Sequence, residues 1–202
     1  MSISRRKALK TLGAVPLAAG FTWTPAEAEQ AQQKSATARA GATAAKKPFK
    51  PAFFAPHEWA TVRLLVDVII PKDQRSGSAT DAGVPEFMDF MMIDDPKRQD
   101  AMRGGLRWLD TQSVERFGKR FVGCTPAERT TMLDAIAWPA KASPLVSQGV
   151  AFFSSFRDLT ASGFWSSKMG VADLQYLGNV ANPEWNGCPP EALQHLGIAG
   201  TG

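Results

Sequence analysis

The side chains that could do chemistry are few in this sequence and lie far apart: Ser154, Ser166, Ser167, His57, His195 and the neighbouring carboxylates Asp94 and Asp95. No serine has a histidine near it, so the sequence does not predict a nucleophile activated by a base. The acidic pair directly precedes a proline and is typical of a solvated loop and helix cap. The two histidines are too distant to predict a metal site. We therefore expect this chain to have no catalytic residue and no metal ligand.

The only cysteines are Cys124 and Cys188. An even number of cysteines in an oxidising compartment is consistent with one intramolecular disulfide. Cys188 lies in the segment 186–190, which should be stiff and exposed, so its thiol could instead bridge to a partner protein. Cys124 could equally be a small buried residue. Neither cysteine belongs to a CxxC or CxxCH motif, and no GxGxxG follows a predicted strand, so we expect no haem, zinc, flavin or nicotinamide site in this chain.

The stretch from Gly163 to Leu193 combines Trp165, Tyr176 and Trp185 with glycines and prolines that forbid one continuous helix. Such a segment forms either a shaped surface or an irregular lid on a core. Since it contains no evident chemistry, we predict a docking edge for a partner. The residues predicted for it are Tyr176, Gly178, Asn179, Trp185, Gly187, Cys188 and Pro189. Trp165 and Tyr176 have an alternative role, which is to cap the helical core.

The first 28 residues are predicted to be an export signal. Arg5 and Arg6 precede a mildly apolar run that is too short and too weakly hydrophobic to span a membrane. Ala26-Glu27-Ala28 is a small-x-small cleavage signature, so the mature chain should begin at Glu29. The paired arginines resemble the twin-arginine signal, and the alternative is a general secretory signal with a basic start. We therefore expect the protein in the periplasm.

Residues 29–50 are rich in Ala, Gln, Lys and Thr and are predicted to be a disordered linker. The remaining residues, 51–202, should form a single helical domain. They hold 14 basic and 17 acidic side chains, a net charge of about −3. The basic character of the chain therefore belongs to its N-terminal tail, and we do not expect nucleic-acid binding.

Apolar residues recur at helical spacing throughout the predicted domain, and no stretch alternates between polar and apolar residues. Five helices are predicted, over about 56–70, 85–92, 96–117 or 96–121, 125–137 and 145–161. Met91 and Met92 should fill the core, the pair Gly104–Gly105 should mark a close helix crossing or a kink, and Gly163 should cap the fifth helix. We expect an all-α fold, a compact irregular bundle of about five helices, preceded by an aromatic strap containing Phe53 and Phe54 and followed by an irregular C-terminal segment.

The chain resembles the gluconate 2-dehydrogenase subunit 3 family over residues 56–193. The strings that carry this resemblance are the twin-arginine leader, LLVDVIIP (64–71), DAGVPEFMDF (81–90), GLRWLD (105–110), FVGCTPAER (121–129), FWSSKMGVADLQYLGN (164–179) and EWNGCPPE (184–191). Each string is weakly specific, but their order and spacing together are more specific.

The resemblance implies a non-catalytic small subunit that binds a large FAD-dependent dehydrogenase of the glucose-methanol-choline type. It implies no cofactor in this chain, FAD in the partner and, in many complexes, haem c in a third subunit that connects the complex to the membrane. A large subunit without its own signal would be carried, folded, through the twin-arginine pore by the small subunit. The alternative from the residues alone is a stand-alone periplasmic helical module that binds carbohydrate or another apolar face through its C-terminal aromatics.

Overall fold

The computed structural model describes residues 25–44, 49–176 and 187–197, and within these ranges it contains helices and turns but no strand. The α-helices are α1 (Pro25–Ala44), α2 (Pro56–Ile69), α3 (Ala79–Ala82), α4 (Val84–Asp94), α5 (Gln99–Phe117), α6 (Pro126–Ala137), α7 (Ser147–Trp165), α8 (Lys168–Asp173) and α9 (Pro190–His195). Short 3₁₀ turns cover Pro96–Arg98, Phe121–Gly123 and Pro144–Val146. The all-α prediction is confirmed, and the five predicted helices correspond to α2, α4, α5, α6 and α7.

The centre of the bundle is α4, with α1, α2 and α7 packed around it. Its buried apolar side chains are Val84, Phe87, Met88, Met91 and Met92. Met91 and Met92 are therefore part of the core, as predicted. Methionine suits this position because an unbranched, flexible side chain fills the irregular spaces between helices that cross at different angles.

A capping box begins α6. The Thr125 amide donates to a Glu128 carboxylate oxygen at 2.6 Å, and the Glu128 amide donates to the Thr125 hydroxyl at 3.3 Å. These bonds satisfy amides that the first helical turn leaves without partners. The bond from the Thr125 amide, followed by that from Lys119, lowers the pKa of the Glu128 carboxyl below its ordinary value.

The aromatic strap lies on the core, as predicted, and a buried carboxylate holds it there. Phe53 and Phe54 are buried. Asp89 of α4 is buried too, and its carboxylate accepts hydrogen bonds from the amides of Ala52, Phe53 and Phe54 at 2.8, 2.9 and 3.1 Å. The strap therefore needs no secondary structure of its own, because one side chain satisfies three successive backbone donors.

Two glycines allow α7 to approach its neighbours closely. A methyl group on Gly105 would overlap the Phe152 ring of α7, which confirms the predicted crossing at Gly104–Gly105. A methyl group on Gly163 would come within 2.7 Å of the Phe87 ring of α4. Gly163 lies inside α7 and does not cap it, so that part of the prediction is wrong. The glycine is there because the two helices touch, and the helix continues past it to Trp165.

The N-terminal helix α1 differs from the disordered linker predicted for residues 29–50. Residues 25–44 are helical and pack against α4 and α7, while 45–48 lie outside the described residues. Ala28, Ala31 and Ser35 are buried and fall on one face of the helix. Apolar periodicity did not reveal this face because it is made of small side chains, which allow α1 to approach the core closely. The predicted leader up to residue 24, with Arg5 and Arg6, lies outside the described residues.

Candidate partner-binding surfaces

The turn that follows α7 is rigid and positions the predicted docking segment. Ser167 is buried; its hydroxyl donates to the Phe164 carbonyl at 2.6 Å and accepts from the Gly170 amide at 3.0 Å, so it caps α8. A methyl group on Gly170 would overlap the Phe164 carbonyl. The close fit between the end of α7 and the first turn of α8 therefore fixes the direction of α8.

An ion pair ties the far end of α8 to the loop between α2 and α3. The Arg75 Nε atom lies 3.2 Å from a carboxylate oxygen of Asp173, and an Nη atom of Arg75 donates to the Asp173 carbonyl at 2.5 Å. The same loop is shaped by Asp73, whose carboxylate accepts from the amides of Arg75 and Ser76 at 2.8 Å each. These amide bonds, that of Ser76 first, lower the pKa of the Asp73 carboxyl.

Four apolar side chains are exposed between the end of α7 and the turn that follows α8: Trp165, Val171, Leu174 and Tyr176. We call these four residues the C-terminal edge. Leu174 is 56% exposed and Tyr176 is 59% exposed, whereas Trp165 stacks edge-on against Phe164 with ring centres 4.9 Å apart. Gln175 has a φ of 54°, in the left-handed region that side chains other than glycine seldom adopt. This turn ends α8 and leaves Tyr176 facing solvent instead of capping the core.

The other residues of the predicted interface divide into two groups. Gly178, Asn179 and Trp185 lie outside the described residues. Gly187, Cys188 and Pro189 are described and exposed; they lead directly into α9.

The two cysteines are in different environments and are not bonded to each other. Cys124 is buried, and its thiol lies 3.5 Å from the Arg120 carbonyl and 3.8 Å from that of Lys119. Cys188 is exposed. Of the two pairings predicted, the one between Cys124 and Cys188 is not present in the structure, and a bond from Cys188 to a partner stays a prediction.

A second apolar surface was missed by the sequence reasoning. It is a groove of about 290 Å³ between α2, α6 and α7, whose lining includes Val68, Ile69, Leu133, Trp138 and Phe153. Trp138 is 62% exposed, with the Lys141 ammonium 6.0 Å from the centre of its ring. We call this surface the Trp138 groove. One signal in the sequence could have located this groove: a tryptophan directly precedes the proline that ends α6. The residue before a proline leaves the helical conformation.

A polar cleft of about 610 Å³ lies beside α2 and α5 and includes the exposed His57. Its charged side chains already hold structural elements. Glu58 accepts from the Ala55 amide at 2.8 Å, Arg103 donates to the Phe53 carbonyl at 3.0 Å, and Asp110 accepts from the Phe121 amide at 3.1 Å. The cleft therefore shows no pairing of a nucleophile with a base.

Two further properties bear on what this part of the chain can do. Among the residues that the structure describes, no three or more His, Cys, Asp or Glu side chains come together as metal ligands. No helix in the same residues has the length and apolar character to cross a membrane.

A protein-family model named gluconate 2-dehydrogenase subunit 3 matches residues 56–183, well over half of the chain. The chain belongs to the gluconate 2-dehydrogenase subunit 3 family. No curated protein and no solved structure is significantly similar to it. The family description identifies an accessory subunit of a multi-subunit dehydrogenase.

In this member of the family, the matched region runs from α2 through α8 and so contains both apolar surfaces. The helix α1 precedes the match, and Cys188 follows it. The Trp138 groove and the C-terminal edge therefore both lie within the part of the chain that the family model matches.

Proposed function

We propose that this subunit binds and stabilises a large FAD-dependent dehydrogenase of the glucose-methanol-choline type, which oxidises a sugar, polyol or sugar acid. The observation that carries the proposal is the C-terminal edge. A chain from a subunit family presents exposed apolar and aromatic side chains at the end of α7, on α8 and in the turn that follows α8, and α8 is held at both ends. In this proposal FAD belongs to the partner, haem c belongs to a third, cytochrome subunit, and the complex meets the membrane only through its partners.

The chemistry of the edge suits an interface with a protein. Tyrosine and tryptophan are enriched among residues whose truncation most weakens protein–protein binding, because each buries a large rigid area with little loss of side-chain entropy. Tyr176 and Trp165 provide such anchors, and Val171 and Leu174 supply an aliphatic surface between them in the sequence. The predicted interface continues past the described residues through Gly178, Asn179 and Trp185 to Gly187–Pro189.

The test is recovery of the flavoprotein with a tagged copy of this subunit. Val171→Asp places a charge on the edge and should reduce recovery by at least about tenfold. Val114→Asp is the matched control, because Val114 is also exposed on a helix but lies away from the edge, on α5. Equal recovery with both variants would show that the partner does not bind at the C-terminal edge.

Cys188 gives a separate test of how the partner is held. If its thiol bridges to the flavoprotein after export, the two subunits should migrate together on a non-reducing gel and separate on a reducing one. Cys188→Ser should abolish the joined species without abolishing co-purification. Separate migration of the wild-type subunits on the non-reducing gel would exclude the bridge and leave the non-covalent interface in place.

The export half of the proposal concerns Arg5 and Arg6. We propose that this twin-arginine signal carries the folded flavoprotein together with the subunit. Replacing both arginines with lysine should keep both proteins and the dehydrogenase activity in the cytoplasm. Lys10→Arg, which preserves charge without altering the pair, should leave export unchanged. Periplasmic activity in the doubly substituted strain would contradict the carrier role.

The alternative function is a stand-alone carbohydrate-binding module, favoured by the same exposed aromatics. It predicts that the purified subunit binds sugars by itself and that Tyr176→Ala abolishes this binding. The subunit proposal predicts no such binding in calorimetric titration, together with recovery of a yellow protein from the native periplasm.

A further inference from the structure

The predicted leader cleavage site lies inside α1. The bond between Ala28 and Glu29 is near the start of a continuous helix, and Ala28 is itself buried. Peptidases cleave exposed, extended segments readily, and a segment held in folded structure is cut only when it opens. The position of α1 therefore bears directly on when the leader can be removed.

Side-chain contacts along its length fix α1 on the folded core. The Lys34 ammonium lies 2.8 Å from a carboxylate oxygen of Asp94 at the end of α4. Five residues later, Arg39 donates to the Asp81 carbonyl at 3.0 Å, near the start of α4. The two helices therefore run antiparallel, and the scissile bond is about 8 Å before Lys34 along the helix axis.

The buried face of α1 completes the docking. Ala31 is fully buried and Ser35 is 1% exposed, so neither position has room for a larger side chain. Between them, the Gln32 side-chain amide donates to the carbonyl of Gly163 in α7. Because α7 and α4 are joined only in the folded domain, α1 can dock in this way only after the core has formed.

We propose that docking of α1 protects the Ala28–Glu29 bond, so that α1 has to leave the folded core before the leader is cleaved. The reaction is hydrolysis: water adds across the peptide bond and leaves a carboxylate on Ala28 and an amino group on Glu29. This inference rests on the export signal proposed above. It adds that the rate of processing is set by contacts between α1, α4 and α7.

Cleavage also weakens the docked state. The shortened helix loses Ala28 from its buried face and gains a positive amino group at its N-terminus, where the helix dipole favours negative charge. A processed α1 should therefore dock less tightly than the same helix in the precursor, which makes release of α1 from the core easier once the leader is gone.

The experiment measures the cleavage rate of purified full-length precursor by signal peptidase in detergent, with N-terminal sequencing of the product. A synthetic peptide of residues 15–44 is the undocked reference. Asp94→Lys disrupts docking without changing the sequence near the cleaved bond, and should raise the rate about two- to fivefold. Adding Lys34→Asp restores the ion pair with opposite polarity and should return the rate to within about twofold of the wild type.

A second pair of variants tests the buried face. Ser35→Glu places a larger, charged side chain where there is no room and should raise the rate at least about tenfold. Ala40→Glu puts the same side chain on an exposed position of the same helix and should leave the rate unchanged. Thermal unfolding of each variant, followed by circular dichroism, checks that the core remains folded.

The outcomes separate this inference from the proposal on which it rests. Cleavage of the folded precursor as fast as the peptide, or equal rates for Ser35→Glu and Ala40→Glu, would overturn the protective role of α1 and leave the export signal intact. Failure of the peptidase to cut even the peptide after Ala28 would overturn the predicted signal, and the inference with it.

Discussion

Two N-terminal segments lie against α4, and different interactions hold them there. The strap buries the Phe53 and Phe54 rings and fixes its backbone on the Asp89 carboxylate. In contrast, α1 buries small side chains and holds its position through Lys34 and other polar side chains at its sides. The strap should therefore be part of the stable core, and α1 should be a helix that can leave the core without unfolding it.

The largest expected effect is on the strap. Phe54→Ala removes a nearly fully buried ring and should lower the free energy of unfolding by about 3–5 kcal/mol. Chemical denaturation measures this change. A loss below about 1 kcal/mol would show that the strap is no more integral to the fold than α1.

The next effect concerns the carboxylate under the strap. Asp89→Ala leaves two buried amides and one partly buried amide without an acceptor and should lower the free energy of unfolding by about 3 kcal/mol. Asp94→Ala is the control on the same helix, because its exposed ion pair with Lys34 should contribute at most about 1 kcal/mol. Similar losses in both variants would contradict the distinction between the two segments.

A third prediction concerns Glu86 of α4, which interacts with the charge of Arg39 on α1 and makes the stability of the folded state depend on pH. One of its carboxylate oxygens is buried without a hydrogen-bond partner. Burial raises the pKa of this carboxyl above its ordinary 4.5, partly offset by a hydrogen bond with its own backbone and then by the charges of Arg39 of α1 and Arg63 of α2. The folded state thus holds the proton more tightly than the unfolded state, and its stability falls as pH rises from about 4.5.

Glu86→Gln removes this dependence. The variant should be more stable than the wild type by about 1 kcal/mol at pH 7, and the gain should disappear below pH 4.5, where the wild-type carboxyl is protonated in both states. Thermal unfolding across this pH range checks both statements. A gain that persists unchanged at low pH would show that ionisation of Glu86 is not its origin.

The smallest effect is expected on α1. Lys34→Ala should change the free energy of global unfolding by less than about 1 kcal/mol, because both side chains of its ion pair with Asp94 are exposed. It should nevertheless increase hydrogen exchange in residues 29–44 while exchange in α4 stays the same. Faster exchange in both helices would mean that α1 and the core open together.

The difference between the strap and α1 also explains which parts of the fold could be predicted from the sequence. Aromatic and methionine side chains at helical spacing, with strong caps such as Thr125, located α2 and α4 to α7 within a few residues. The helix α1 was missed because alanine and serine produce no apolar periodicity, and whether they form a contact face depends on the surface opposite. Gly163 was misplaced for a related reason: a glycine that lets two helices touch looks like a cap until the neighbour, Phe87, is known.

The candidate interface was predicted in part. Tyr176 was identified from its irregular glycine- and proline-rich context, and the structure shows it exposed. The Trp138 groove was missed because its members come from three helices, so no single stretch of sequence contains it. Surfaces of this kind depend on tertiary packing. Their only signals in the sequence are indirect, such as a tryptophan next to a proline that ends a helix.

In the proposed function, this protein is a subunit whose C-terminal edge holds a flavoprotein. The most direct test isolates the tagged subunit from its native periplasm and measures flavin absorbance per subunit for the wild type, Tyr176→Ala and Trp138→Ala. We expect bound flavin with the wild type and Trp138→Ala, and a loss of at least about tenfold with Tyr176→Ala. Flavin retained by Tyr176→Ala and lost by Trp138→Ala would place the interface in the groove, and its absence from all three samples would contradict the proposed function.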